Sequence, residues 1–207
     1  MNGQLNITAS ENQDLWGGPT VGGGPSAKRG APLLLIDAPA ERYTAEAMVT
    51  ATNTVSPGGP QALNTQVGLY VFRDINNWMF FGLTNHDFSI DGNSTVADGL
   101  IATVTLDGES YILHQWMSPI EDVLFLKLTK MYHHHPGGIA GSYYKLEFKA
   151  NRGDPWKPFA HDIPLHNPNA VSEEVGMGVK TLDLSGDGVS NPGLGIFDEF
   201  LVDFWNE

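Results

Sequence analysis

The sequence predicts an all-β fold, an antiparallel β-sandwich of two sheets. Short stretches in which apolar and polar residues alternate with period two recur along the whole chain. No segment carries an apolar 3.6-residue stripe longer than about three turns, the usual mean helix length. The 24 glycines and 13 prolines among 207 residues point to many short elements joined by turns.

Taken in order, Gln4 to Thr8 reads as a first strand, and Gly17 to Gly30 as a Gly/Pro-rich rim loop. Tyr43 to Thr52 (YTAEAMVTAT) puts Tyr43, Ala45, Ala47 and Val49 on one side and Thr44, Glu46, Met48 and Thr50 on the other. Val67 to Phe72 and Asn77 to Leu83 are apolar on both faces, as central sandwich strands are, with a turn over Arg73 to Asn77. Further strands are predicted over Gly99 to Leu106, Tyr111 to Met117, Val123 to Lys130, Ser142 to Ala150, Glu174 to Thr181 and Ile196 to Phe204. Asp107-Gly108 is a tight-hairpin signal. The one helical candidate is a short segment near Asn169 to Glu174. The spacing suits a sandwich of about ten to thirteen strands. A chain of this length buries a full core, so one domain over residues 1–207 is expected.

Composition narrows the function classes. With 24 acidic and 11 basic side chains the formal charge is −13, which repels phosphate backbones and disfavours nucleic acid; a neutral or cation-bearing partner fits better. No apolar run approaches the about 20 residues of a membrane helix. The absence of cysteine excludes disulfides, a thiol nucleophile and zinc-thiolate sites. Met1 to Leu5 lacks the basic start and apolar stretch of a signal peptide, and the abrupt entry into a strand suggests a domain excised from a larger protein.

Five segments in order carry a resemblance: NGQLNITA (Asn2 to Ala9), DLWGG (Asp14 to Gly18), APLLLIDAPAERYTAEAMVTA (Ala31 to Ala51), QVGLYVFRDINNWMFFGL (Gln66 to Leu83) and GIFDEFLV (Gly195 to Val202). Together they resemble the concanavalin A-like jelly-roll domain of the DUF1349 type, similar to the C-terminal domain of family 43 glycoside hydrolases. The hairpin and the closing FDEF are its most specific parts, and the YHHHPGG loop departs from the pattern. The resemblance implies a non-catalytic carbohydrate-binding or accessory module of a secreted, extracellular glycan-degrading protein. A polysaccharide or oligosaccharide would then be the partner, a catalytic domain in the same parent protein a neighbour, and a monomer the expected state. Two alternatives stay open: a glycoside hydrolase or lyase of the same fold, and a structural cell-surface domain.

Calcium is the expected cofactor. Strict alternation through FDEF groups Phe197, Glu199 and Leu201 on one face and Asp198, Phe200 and Val202 on the other. An acid buried unpaired among apolar neighbours costs several kcal/mol, on the order of the effective penalty per ion, and a metal would offset it. In related sandwiches an acid on the last strand often holds a structural calcium beside the first strand; by resemblance Asp198 is that ligand. Asp183-Leu184-Ser185-Gly186-Asp187-Gly188 opens like an EF-hand loop, but Leu194 stands where the closing acid belongs. Asp183 and Asp187 are left as ligands of a looser calcium loop or as parts of an Asp/Gly turn.

The glycan contacts are sought among aromatics, whose faces pack on sugar C–H groups. Trp16 and Trp156 fall in predicted loops; Trp78 and Trp116 fall in strands, where alternation leaves core and exposed faces equally open. Tyr132 precedes and His134 lies within the His133-His134-His135 turn, in which only His133 and His135 share a side and a metal would need His114, His161 or His166 as a third ligand. The candidate contacts are therefore Trp16, Trp78, Trp116, Tyr132, His134 and Trp156. No catalytic residue is assigned. The E-x-D-x-x-E and E-x-D-x-E patterns of related glucanases are absent, Glu173-Glu174 and Glu121-Asp122 are adjacent and face apart, and Glu109, Glu147 and Glu199 stand alone.

Overall fold

The computed structural model describes residues 4–10, 13, 15–16, 28–38, 42–53, 65–90, 93–117, 123–133, 141–165, 173–181 and 193–205, and there is no helix among them. Two antiparallel six-stranded sheets form the sandwich. The first runs β1 (Leu5–Ala9), β14 (Gly193–Phe204), β5 (Tyr43–Asn53), β10 (Val123–His133), β11 (Gly141–Lys149), β12 (Lys157–Pro164). The second runs β4 (Leu33–Asp37), β13 (Glu174–Thr181), β6 (Thr65–Asp74), β7 (Asn77–Ile90), β8 (Asn93–Leu106), β9 (Glu109–Met117). A two-stranded ribbon pairs β2 (Leu15–Trp16) with β3 (Lys28–Arg29).

The core lies between the sheets and is built by alternation. Tyr43, Ala45, Ala47 and Val49 of β5 and Leu124, Leu126 and Leu128 of β10 meet Val67, Leu69 and Val71 of β6 and Met79, Phe81 and Leu83 of β7, all buried. The second sheet is apolar on its other face too. There Tyr70, Trp78, Phe80 and Ile101 are buried beneath Leu15, with Ala31, Leu33 and Leu35 packed against them. This second cluster is the physical reason that the two strands of the central hairpin lack a polar side. Gly178, Gly68 and Gly82 form one cross-strand row on that face. A β-carbon on Gly178 would stand 2.9 Å from Tyr70 Cε2, and one on Gly82 2.7 Å from Phe80 Cζ, so the bare row admits both rings.

Several boundaries differ from expectation. The ten predicted strands form, and β13 spans the predicted Glu174 to Thr181, but β7 and β8 extend as one long hairpin to Ile90 and from Asn93. β2, β3, β4 and β12 were not anticipated, and β3 falls inside the predicted rim loop over Gly17 to Gly30; Pro158 and Pro164 disguise β12, and the sheet tolerates them because β12 is an edge. The Asp107-Gly108 turn has φ of 51° and 87°, the left-handed pair of a type I′ hairpin. Residues 169–172 of the helical candidate lie outside the described residues, and Glu174 begins β13.

The face assignment through FDEF needs correction. Asp198 pairs with Met48 but Leu201 with Glu46, three steps on β14 against two on β5, so β14 carries a bulge. Glu199 adopts φ of 58° within it, and the Arg152 guanidinium pairs with its carboxylate. The extra residue flips the alternation: Phe200, Val202 and Phe204 join Phe197 on the core side, while Leu201 and Asp203 turn outward with Asp198.

One end of the core is closed by a buried carboxylate. Glu173, immediately before β13, accepts hydrogen bonds from Tyr43 Oη at 2.7 Å and Tyr144 Oη at 2.6 Å. Arg73 Nε donates to it at 3.1 Å, and Lys130 Nζ lies 3.2 Å away. Arg73 also donates to the Leu165 carbonyl at 2.6 Å, tying in the segment after β12. One carboxylate thus joins both sheets. Burial raises the Tyr43 phenol well above its ordinary 10.0, with the Tyr144 and Glu173 charges adding to it. Burial likewise raises Tyr144, reinforced by Glu173 and opposed by Arg73.

Removing the carboxylate while leaving its cations buried is costly. Glu173→Ala is expected to destabilise the chain by about 3–5 kcal/mol in urea denaturation. The raised phenols add a pH dependence. The folded state keeps protons that the unfolded chain releases, so this stability is full below about pH 10 and lost as pH rises towards the folded values. Tyr144→Phe is expected to cost about 2 kcal/mol at neutral pH and to flatten the alkaline limb. A wild-type profile with no alkaline decline would contradict the network.

Candidate functional site

The outer face of the first sheet carries the polar half of each alternation. Cross-strand pairing aligns Leu201, Glu46, Lys127 and Glu147 in one row over β14, β5, β10 and β11, and Asp203, Thr44, Thr129 and Lys145 in the next. An open groove of about 600 Å³ lies on these rows, lined also by Met131 and Trp205. Trp205 follows β14, its backbone N–H donates to the Arg42 carbonyl at 3.1 Å, and its side chain is 46% exposed. This is a large apolar ring held at a fixed place beside water.

The charges in the groove are ordered. Glu147 receives Lys145 Nζ at 2.7 Å and Lys127 Nζ at 3.1 Å. Burial by itself would raise the Glu147 carboxyl; the hydrogen bonds and charges of Lys145 and Lys127 outweigh it and hold the group below the ordinary carboxylate range. Lys127 Nζ also lies 4.3 Å from the centre of the Trp156 ring, and Lys149 Nζ lies 4.4 Å from it. Lys149 in turn donates to the Arg152 carbonyl at 2.8 Å. The result is a set of fixed donors and acceptors with hydroxyls from Thr44 and Thr129, flanked by two indoles.

Of the expected contacts, Trp156 is half-buried at the margin of this face, stacked with the two lysines. Trp78 is corrected: it is 1% exposed, covered on the far face of the second sheet, with Lys180 Nζ 5.2 Å from its ring centre, so it offers no face to a ligand. Trp116 belongs to β9, an edge of the second sheet, and Trp16 to the β2–β3 ribbon, neither in the sheet that bears the groove. Tyr132 follows Met131, which lines the groove, and therefore sits on the opposite side of β10. His134, Asp183 and Asp187 lie outside the described residues. Asp198 is half-buried on the outer side of β14 and pairs across the strand with Met48, so it is not sealed in the core. Among the described residues no three His, Asp or Glu side chains gather to hold a metal. His114 packs on Phe159 with ring centres 4.7 Å apart, and His161 Nδ1 lies 2.8 Å from Asp162 Oδ2.

Sequence reasoning missed Trp205, Glu46, Lys127, Lys145 and Glu147. The signal that finds the four charged residues is the polar register itself, Thr44-x-Glu46, Lys127-x-Thr129 and Lys145-x-Glu147, each opposite a buried apolar set.

No family model matches the chain, and no curated protein matches it. Solved structures do. A functionally unknown protein from Saccharomyces cerevisiae matches with TM-score 0.70 at 17% identity, over 99% of this chain and 90% of that one. The GH43 BlXynB protein from Bacillus licheniformis matches with TM-score 0.59 at 11% identity, over 98% of this chain and 32% of that one. A mutant of the alginate lyase Aly36B, in complex with alginate tetrasaccharide, matches with TM-score 0.53 at 8% identity, over 98% of this chain and 81% of that one. This chain thus spans about a third of the GH43 protein's length. At these identities the likeness is one of fold: a β-sandwich shared with glycan-related structures.

Glu147 gives the groove an acid-sensitive clamp. Its folded pKa lies below the unfolded value of about 4.3, so the stability it contributes is full above that pH and lost as pH falls through the folded value. After screening by solvent this amounts to about 1 kcal/mol or less. Glu147→Gln is expected to remove that increment from the acid limb of a urea-denaturation series, and an unchanged limb would show that the two lysines do not hold the carboxylate.

Proposed function

We propose that this chain is a non-catalytic carbohydrate-binding or accessory module of a secreted glycan-degrading protein, of the concanavalin A-like, DUF1349 type. The observation that carries the reading is the groove, where exposed Trp205 stands beside Thr44, Glu46, Lys127, Thr129, Lys145 and Glu147. Sugar rings stack on indoles while their hydroxyls take up fixed donors and acceptors. The fold shared with GH43 proteins and an alginate lyase supports a glycan as the partner. Binding rather than hydrolysis is favoured by the chemistry of Glu147. A carboxylate clamped by two lysines and held ionised is a poor general acid, and hydrolysis needs one. A reducing-sugar assay on the bound polysaccharides separates the two roles.

With few aromatics in contact, affinity is expected in the micromolar to millimolar range. Affinity electrophoresis across neutral and acidic polysaccharides tests it: at least one glycan should retard the protein, and Trp205→Ala should weaken that retardation by about tenfold or more. If no glycan retards the wild-type chain, the reading is wrong. Structural calcium on Asp198, Asp183 or Asp187 belongs to the same proposal. Millimolar calcium should then raise the melting temperature above that in chelator, and identical melting curves would remove calcium from it.

A further inference from the structure

We infer that the groove selects a neutral glycan, and that Glu46 and Asp203 are the acceptors that take up its hydroxyls. The inference rests on the carbohydrate-binding reading above and names the substrate class of that same site. Among the described residues the groove is lined by three carboxylates, Glu46, Glu147 and Asp203, and two ammoniums, Lys127 and Lys145. Its balance is therefore negative, like that of the whole chain at −13. The two ammoniums are already committed. Lys145 Nζ lies 2.7 Å from one oxygen of Glu147 and Lys127 Nζ 3.1 Å from the other, and Lys127 also stacks on Trp156. Lys149, one row further along β11, donates to the Arg152 carbonyl, packs on Trp156 and does not line the groove. A uronate carboxylate or a sulfate ester entering here would have to compete with Glu147 for its lysines, with Glu46 and Asp203 repelling it.

The two remaining carboxylates are placed for the opposite task. Among the described residues no side-chain hydrogen bond or ion pair reaches Glu46 or Asp203. Glu46 stands in its row between Leu201 and Lys127, and Asp203 faces Thr44 in the next row, two residues before Trp205 on the same side of the chain. An ionised carboxylate only accepts, and its two oxygens can take both hydroxyls of a vicinal diol in charge-assisted bonds. A sugar ring packed on Trp205 brings its hydroxyls beside Asp203 and the Thr44 hydroxyl, and the adjoining unit reaches Glu46. A neutral ring supplies such diols and adds no charge to be repelled.

Affinity electrophoresis of the whole chain tests this with neutral glucan, xylan and mannan against a polyuronate and a sulfated polysaccharide. A neutral glycan should retard the protein most, and its effect should change little between low and high salt. Glu46→Gln and, separately, Asp203→Asn should each weaken that retardation by about tenfold, with an unchanged circular dichroism spectrum. Were the ligand acidic, both substitutions would remove like charge and strengthen binding, so the sign of the change identifies the class. Should one variant fail to fold, the other decides. Retardation by an acidic glycan as strong as by any neutral one, or neutral-glycan retardation that both variants leave unchanged or increase, would overturn the inference and leave the carbohydrate-binding reading standing. Retardation by no glycan at all would remove both.

Discussion

A sandwich of two sheets has four faces, and among the described residues apolar burial here claims the two inner ones and the middle of a third. The two inner faces make the core, and the outer face of the second sheet is sealed by Leu15, Leu33 and Leu35 over Tyr70, Trp78 and Phe80. Among the described residues the outer face of the first sheet carries the broadest polar surface open to water. The polar residues that the alternating strands must put somewhere therefore converge on it from β5, β10, β11 and β14. The groove is a consequence of this asymmetry. A face that packs nothing can vary in side chain without disturbing the core, which is the usual condition for a binding surface built on a rigid scaffold.

The same economy governs the charges inside. Glu173 is buried, and the cost of dehydrating it is met by two phenols, a guanidinium and an ammonium drawn from β5, β6, β10 and β11. Because its partners come from both sheets, the cluster fixes how one sheet sits on the other at that end. Neighbouring Glu174 turns the other way and only half-buried, so two adjacent acids have unrelated roles. The groove repeats the pattern in milder form, where Lys127 and Lys145 share Glu147 at the water's edge. Charge that is paired there is fixed in position, and fixed donors are what a hydroxyl-rich ligand can use without a large ordering cost.

Much of the fold was legible because it follows from local alternation. Tyr43 to Val49 declares its buried side without any knowledge of its neighbours, and the hairpin from Val67 to Leu83 declares that both its sides are covered. What alternation cannot show is a break in its own phase. Glu199 takes a left-handed conformation with no glycine to signal it, and the faces of Phe200 and Leu201 exchange as a result. β12 was hidden by two prolines that only an edge strand accommodates. The candidate site was less legible, for a geometric reason. Thr44 and Glu46, Lys127 and Thr129, Lys145 and Glu147, and Asp203 and Trp205 come from four separated strands, and only the sheet order brings them together. Trp78 misled because a strand tryptophan looks the same in sequence whether its sheet face is bare or covered.

The location of Trp205 bears on what the groove presents to water. It stands at the end of the last strand, on the row beyond Asp203 and Thr44, while Trp156 lies towards β12. The two indoles are linked through Lys127, which lines the groove with Trp205 and lies 4.3 Å from the centre of the Trp156 ring. Among the described residues of this face Glu147 is the one carboxyl held below the ordinary range, and the charge it keeps orders Lys127 and Lys145 around it.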